Sequence, residues 1–116
     1  MAKHNKLGKD GELIAFMILE RDGYNILQTN WKYQKAEVDI IAKKDGFLVF
    51  IEVKTRSSKK FGKLSDAIDT KKIALYKDSV EGYLEQHPSE DEIRFDVVNI
   101  TIRKDETQIE HIANAF

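Results

Sequence analysis

A chain of 116 residues without cysteine has room for one folded domain, residues 1–116, and cannot form disulfides or thiolate zinc sites. Its 19 basic and 20 acidic residues leave a formal net charge of −1, so composition alone does not favour a nucleic-acid-binding protein. No apolar run approaches the roughly 18 residues of a membrane span, and the polar N-terminus lacks a signal peptide's apolar stretch, so a cytoplasmic protein is expected.

The first half of the chain predicts a helix followed by a three-strand meander. Apolar side chains between Leu13 and Leu19 favour a helix over Gly8–Asp22. Residues with high strand propensity follow in three segments, Tyr24–Tyr33, Glu37–Ala42 and Phe47–Thr55. Asp45-Gly46, between the last two segments, is a strong signal for a hairpin.

The second half predicts a polar loop, a long helix and one or two further strands. Arg56–Lys63 predicts the loop, and Ser65 is a suitable cap for a helix over Asp66–His87, which Pro88 ends. Two later segments have strand propensity, Ile93–Ile102 and, more weakly, Gln108–Ile112. This order indicates an α/β protein with a mixed sheet flanked by two main helices.

The turn at Asp45-Gly46 gives the hairpin a predictable register. Asp39 then falls opposite Glu52, and Glu37 opposite Lys54, whereas a three-residue loop would shift these pairs. Because strand side chains alternate between the two faces of a sheet, two sets result. The polar set is Glu37, Asp39, Glu52 and Lys54. The apolar set, expected in the core, is Val38, Ile40, Ile51 and Val53.

Two acids in the polar set require an explanation. Like charges directly opposed across a hairpin are destabilising, so Asp39 and Glu52 need a proton, nearby cations or a metal between them. Oxygen ligands without histidine or cysteine suit Mg²⁺ or Mn²⁺. Lys54 would place an ammonium beside such a metal. The alternative is a solvated sheet face in which Lys54 pairs with Glu37.

Asp39 and Glu52-Val53-Lys54 together resemble the D…(D/E)-x-K signature of the restriction-endonuclease-like, or PD-(D/E)xK, superfamily. Further segments look like the bacterial YraN-like family, which is similar to archaeal Holliday-junction resolvases. These segments are Gly11-Glu12, residues 23–27, 37–41, 50–56 and 94–98, and Asn114-Ala115-Phe116. The resemblance covers nearly the whole chain.

The resemblance implies a restriction-endonuclease-like fold and an Mg²⁺- or Mn²⁺-dependent endonuclease that hydrolyses phosphodiester bonds in branched or structured DNA. The catalytic residues that it implies are Asp39, Glu52 and Lys54. The metal set that it implies is Glu12, Asp39, Glu52 and Val53. Glu37 matches an additional acid that is common in the family, whereas Ala36 stands where glycine is frequent. Resolvase-like proteins usually act as dimers, so a homodimer is expected.

The basic residues that follow the hairpin are the expected DNA contacts. They are Arg56, Lys59, Lys60 and Lys63 of the loop and Lys71 and Lys72 of the long helix. The alternative is a set of ordinary solvated lysines. Trp31 and Tyr33 are expected in the core rather than stacked on bases. His4, His87 and His111 receive no role, and Asp96 with Arg94 predicts a structural ion pair.

Two other readings remain beside the nuclease. A non-catalytic DNA-binding or partner-binding module could retain the nuclease fold without binding metal. A purely structural domain would leave the acid pair Asp39 and Glu52 unexplained. Metal binding discriminates between the nuclease and the non-catalytic binding module.

Overall fold

A computed structural model describes residues 6–57 and 70–115, and within these ranges the chain forms two helices and one five-stranded sheet. The elements in chain order are α1 (Lys6–Arg21), β1 (Asn25–Tyr33), β2 (Ala36–Lys44), β3 (Phe47–Arg56), α2 (Thr70–Gln86), β4 (Glu92–Ile102) and β5 (Thr107–Ile112). The predicted order of elements is therefore confirmed, including the short fifth strand. The predicted cap Ser65 and the predicted helix start at Asp66 lie outside the described residues.

The sheet is mixed, as predicted. Its strand order is β1-β2-β3-β4-β5, and every neighbouring pair is antiparallel except β3 and β4. The parallel pair requires a crossover connection, and α2 lies within it. In the described part of the chain, neither helix is both long and apolar enough to cross a membrane.

Helices cover both faces of the sheet, which gives the molecule two apolar clusters. On β3, Val49 and Ile51 belong to the α1 cluster, which contains Ala15 and Leu19 of α1. Leu48 and Phe50 point to the opposite face and join the α2 cluster. Members of the α2 cluster from other elements are Val38, Ile41, Tyr76 and Tyr83, with Trp31 packed against it. The centre of β3 is buried because both of its faces are covered.

The aromatic residues of β1 are partly buried and pack against α2, at the border of the predicted core. The rings of Trp31 and Tyr33 are stacked with centroids 5.9 Å apart, and the Trp31 ring meets Tyr83 edge-on. The Tyr33 ring also lies directly over Gly82 of α2, where a Cβ atom would overlap it. These contacts give the two rings a packing role between β1 and α2.

The β2–β3 hairpin begins in the predicted register and then opens. Asp45 and Gly46 have φ values of 51° and 84°, as a two-residue hairpin turn with two positive φ angles requires. The ladder runs from the pair Lys44–Phe47 to the pair Ile40–Ile51 and ends there. The predicted register continues this ladder with Asp39 opposite Glu52 and Glu37 opposite Lys54. These two pairs do not form, because β2 leaves β3 at Asp39.

The alternation of side chains along β2 also breaks at Asp39. Val38 packs in the α2 cluster with Ile41, whereas Ile40 packs in the α1 cluster. Val38 therefore does not share a face with Ile40, contrary to the sequence-based prediction. The strand remains paired with β1 on both sides of this point, and Asn30, on β1, has a φ of 51° there. Both strands are thus distorted together where the hairpin opens.

Asp96, in the first half of β4, forms a buried ionic network. Arg94 donates two hydrogen bonds of 2.9 Å to its carboxylate, which confirms the predicted ion pair. His111 Nε2 lies 2.7 Å from Asp96 Oδ2, and the main-chain N–H of Asn114 donates to Oδ1. Burial by itself would raise the pKa of Asp96, but these partners hold it below its usual value. The network ties β5 and the residues after it to β4.

Candidate functional site

A pocket of about 150 Å³ lies where β2 and β3 separate. Its lining residues come from β2, β3 and α2, and they are Ala36, Glu37, Asp39, Glu52, Lys72, Leu75, Tyr76 and Ser79. Three of them are carboxylic acids, and one is a lysine. The opening of the hairpin therefore creates a polar cleft beside a largely apolar sheet centre.

Asp39 replaces a main-chain partner of β3. In a continued ladder Val53 would pair with Val38, but Val38 has moved towards α2. The N–H of Val53 instead donates a 2.7 Å hydrogen bond to Oδ2 of Asp39. A residue in a hydrogen-bonded pair directs its N–H and C=O to the same neighbour, so the Val53 carbonyl faces the same gap. The gap thus combines a carboxylate with a main-chain carbonyl.

The charge state of Asp39 is perturbed by its surroundings. Burial raises the pKa of its carboxyl, the Val53 hydrogen bond lowers it, and the carboxylates of Glu12, Glu52 and Glu37 raise it further, to about 6. Negative charge is therefore costly at this position in the metal-free protein. A cation placed among these carboxylates would remove that cost.

Glu12 comes from α1, which packs closely against the end of β3. Gly11 is buried, and a Cβ atom at this position would overlap the Thr55 side chain. The missing side chain lets the helix approach the strand, and Glu12 follows directly. Its carboxylate is near enough to Asp39 to contribute to the raised pKa of Asp39. The predicted approach of a first-helix acid is borne out.

Glu52 is only 7% exposed and receives hydrogen bonds from two residues of α2. The Tyr76 hydroxyl donates to Oε1 at 3.0 Å, and the Lys72 ammonium lies 2.5 Å from Oε2. Burial and the Glu52 carboxylate raise the pKa of Tyr76, so its hydroxyl remains a donor. Lys54 Nζ is 3.9 Å from the same Oε2. The α2 helix thus neutralises and orients the buried carboxylate.

Comparison with known proteins identifies the family. Residues 11–100 match the model of the family described as uncharacterised protein family UPF0102. The chain belongs to this family. A UPF0102 protein of Flavobacterium psychrophilum is 47% identical over 100% of the chain and 98% of its own length. UPF0102 proteins of Phocaeicola vulgatus and Bacteroides thetaiotaomicron are 40% and 38% identical, each over 100% of the chain and 96% of their own length. The names of these relatives state no activity.

Most of the predicted site residues of this UPF0102 protein meet at the opened hairpin. Asp39, Glu52 and Lys54 lie together, with Glu12 and Glu37 beside them. Val53 contributes through its main chain. The predicted proximity of these side chains is therefore confirmed, and they lie where β2 and β3 separate, near the middle of both strands.

The predicted DNA-contacting residues are distributed differently. Lys72 belongs to the acid pocket, whereas Lys71 is exposed on α2. Arg56 lies partly exposed at the end of β3. Lys59, Lys60 and Lys63 lie outside the described residues.

Tyr76 has a part in the site that sequence reasoning did not predict. Its hydroxyl donates a hydrogen bond to Glu52. Lys72 and Tyr76 are four residues apart, which places them on one side of a helix. The signal that could have identified Lys72 and Tyr76 is this four-residue spacing of a lysine and a tyrosine, in a helix predicted to cover a strand that contains an acid.

The donor set fits a hard divalent cation, although its members are not yet arranged around one. Within residues 6–57 and 70–115, no three histidine or acidic side chains converge closely enough to hold a metal as they stand. The two oxygens of Glu52 already contact Tyr76 and Lys72. The chemistry of the site nevertheless suits Mg²⁺ or Mn²⁺, since its ligand atoms are all oxygens and a cation already occupies one of them.

Proposed function

We propose that this UPF0102 protein is an Mg²⁺- or Mn²⁺-dependent endonuclease of the restriction-endonuclease-like fold that acts on branched or structured DNA. The observation that carries the proposal is the convergence of Asp39, Glu52 and Lys54 where the hairpin opens. The order of elements around the mixed sheet is compatible with that fold. The resemblance of the sequence to resolvase-like nucleases supplies the substrate class.

Each residue of the site has a chemical part in this proposal. Asp39, Glu52 and Glu12, with the main-chain carbonyl of Val53, would hold the metal. A divalent ion bound there supplies Lewis-acid activation of water and of the phosphodiester. Lys54 places its ammonium beside Glu52, where it can bind a phosphate oxygen and stabilise the charge that develops during attack. Glu37 lines the same pocket and adds to its negative potential.

The charges around the pocket favour metal-assisted hydrolysis over DNA binding without catalysis. Four carboxylates repel a phosphate unless cations are present, so a surface built only to bind DNA gains nothing from them. The same carboxylates attract divalent cations. A site that is acidic at its centre and has Lys54 at its edge therefore suits metal-assisted cleavage.

One observation favours a second candidate, a nucleic-acid-binding or partner-binding module without catalysis. Lys72 and Tyr76 satisfy Glu52 without a metal, so the pocket is stable in a form that does not need one. In such a module, DNA binding would proceed unchanged in a chelator, and Mn²⁺ would not bind in the pocket even when DNA is present.

A cleavage assay separates the two candidates. Purified protein is incubated with labelled Holliday junctions, flaps, single strands and duplexes, with Mn²⁺, with Mg²⁺ or with chelator. The nuclease proposal expects cleavage of a branched substrate that requires metal and is abolished by Asp39→Asn and by Lys54→Ala. The exposed residue Asp78, on α2, provides a matched control, since Asp78→Asn should cleave normally. Metal-independent binding with no cleavage of any substrate would overturn the proposal.

A further inference from the structure

The two donors that α2 gives to Glu52 differ in their freedom to move. Tyr76 is 5% exposed, and its ring packs against Phe95 with centroids 5.5 Å apart. The Lys72 side chain is 33% exposed, and its ammonium is carried on a flexible four-carbon stem. Tyr76 is therefore fixed on Oε1, whereas Lys72 can release Oε2 towards solvent without disturbing the core.

A divalent cation and the Lys72 ammonium compete for the same atom. The ammonium lies 2.5 Å from Glu52 Oε2, so a metal bound through that oxygen would place a second cation against the same atom, and the two cations would repel each other. Lys54 is also cationic, but its ammonium is 3.9 Å from Oε2 and does not fill the ligand position. Lys72 thus contacts the oxygen that a metal would use, whereas Lys54 only lies near it.

From this geometry we propose that Lys72 is an exchangeable counter-ion of Glu52, displaced when a divalent metal binds and then available to a phosphate of the DNA. The proposal rests on the metal-dependent function described above. In the metal-free protein, Lys72 compensates the buried carboxylate. Once displaced, its ammonium needs a new anionic partner, and a DNA phosphate at the pocket provides one. Tyr76 is a positioning residue that keeps Glu52 oriented during the exchange.

The exchange couples the binding of metal to the binding of phosphate. Metal alone must expel a cation from a carboxylate, which weakens its affinity. Metal together with a phosphate leaves the ammonium with a partner, so each ligand raises the affinity for the other, as linkage requires. The pocket would thus hold its metal firmly only when a DNA backbone is present.

The affinity for Mn²⁺ without DNA tests the proposal directly. Isothermal titration of the intact chain compares wild type with Lys72→Met, Lys54→Met and Lys77→Met. Lys72→Met should bind Mn²⁺ more tightly by roughly 5- to 150-fold, the usual range of such couplings. Lys54→Met should gain clearly less, because it removes a nearby charge without vacating a ligand atom. Lys77 is exposed on the same helix, and Lys77→Met should match wild type.

Thermal denaturation provides a second readout that does not depend on activity. Without metal, Lys72→Met should melt below wild type because Glu52 loses its counter-ion, and added Mn²⁺ should raise its melting temperature more than that of wild type. A purely structural lysine would give the first effect without the second. Equal Mn²⁺ affinity in wild type and Lys72→Met, or equal gains for Lys72→Met and Lys54→Met, would overturn the exchange while leaving the metal site intact. If no form of the protein binds Mn²⁺, the proposed function itself is wrong, and the exchange with it.

Discussion

The N–H of Val53 donates its hydrogen bond to the side chain of Asp39, not to a carbonyl of the neighbouring strand. A carboxylate therefore completes the main-chain bonding of β3 at the point where β2 departs. An uncharged amide oxygen can accept the same bond. The fold therefore needs an acceptor oxygen at position 39, but it does not need that oxygen to carry a charge.

Asp39→Asn is expected to stabilise the metal-free protein. The substitution keeps an acceptor for Val53 and removes a charge whose cost raises the pKa of the carboxyl from 3.8 to about 6. A shift of that size corresponds to a gain of about 1–3 kcal/mol in the free energy of unfolding at pH 8. Urea denaturation measures it, and Asp78→Asn on the surface of α2 should change stability by less than about 0.5 kcal/mol.

The gain should depend on pH with a defined sign. Because the pKa of Asp39 is higher in the folded chain, the folded state binds its proton more tightly than the unfolded state does. This contribution is fully present below about pH 4 and is lost as the pH rises through about 6. The difference between wild type and Asp39→Asn should grow across this window. Stability curves that run parallel from pH 4 to pH 8 would show that Asp39 carries no such strain.

Glu52→Gln should have the opposite effect, although both substitutions turn a pocket acid into its amide. The carboxylate of Glu52 accepts bonds from Lys72 and Tyr76, and a neutral amide leaves the Lys72 ammonium without its charged partner at this oxygen. We expect a loss of about 1–3 kcal/mol in the free energy of unfolding. The exposed Glu85→Gln on the same helix is the control. A Glu52→Gln variant as stable as wild type would mean that the α2 contacts contribute nothing to stability.

Asp96→Asn provides a second contrast with Asp39→Asn. The Asp96 side chain is fully buried and is compensated by Arg94, His111 and the Asn114 N–H. An amide would leave the Arg94 guanidinium buried without its carboxylate, which typically costs about 3–5 kcal/mol. Thermal melts of the two Asp→Asn variants should therefore shift in opposite directions. A shift of the same sign for both variants would refute the conclusion that the charge of Asp39 destabilises the fold and the charge of Asp96 stabilises it.

The basic segment after β3, for which the sequence predicts a loop, implies a salt-dependent affinity for DNA. If Lys59, Lys60 and Lys63 contact phosphates, replacing all three by alanine should flatten the dependence of the logarithm of affinity on the logarithm of salt by up to about three units. Binding should weaken alike for every DNA sequence. A control with alanine at Lys77, Arg103 and Lys104 removes the same charge from exposed positions elsewhere. Fluorescence anisotropy from low to high salt gives both slopes, and identical slopes would mean that the loop is merely solvated.

The sequence was sufficient to predict the elements and the position of the acids. Asp45-Gly46 determines the hairpin register, and the register brings Asp39 and Glu52 near each other whether or not the ladder continues. Strand periodicity could not predict the break at Asp39, because Val38 is apolar and packs well on either face. The true face is decided by α2, whose contacts with the sheet are not local in sequence.

The contacts of Glu52 were also beyond local reasoning. Lys72 and Tyr76 are 20 and 24 residues from Glu52 in sequence, so only the tertiary path of α2 brings them to it. For the same reason the sequence indicated only one pair of repelling charges, with no difference between Asp39 and Glu52. In the structure, one acid is in a destabilising environment, and the other is neutralised by a lysine.

Within residues 6–57 and 70–115, the ladder between β2 and β3 ends at the pair Ile40–Ile51, although β3 is a central strand. An unpaired strand edge is a place where the strand of another molecule can add, and charged side chains are a common protection against such pairing. The acids of the pocket lie where this ladder ends, so we expect them to protect the protein from self-association. A variant with both Asp39→Asn and Glu52→Gln should therefore aggregate more readily than either single variant, which light scattering at matched folded fractions would detect. Replacement of the acids that would hold the metal would in this way also affect the solubility of the chain.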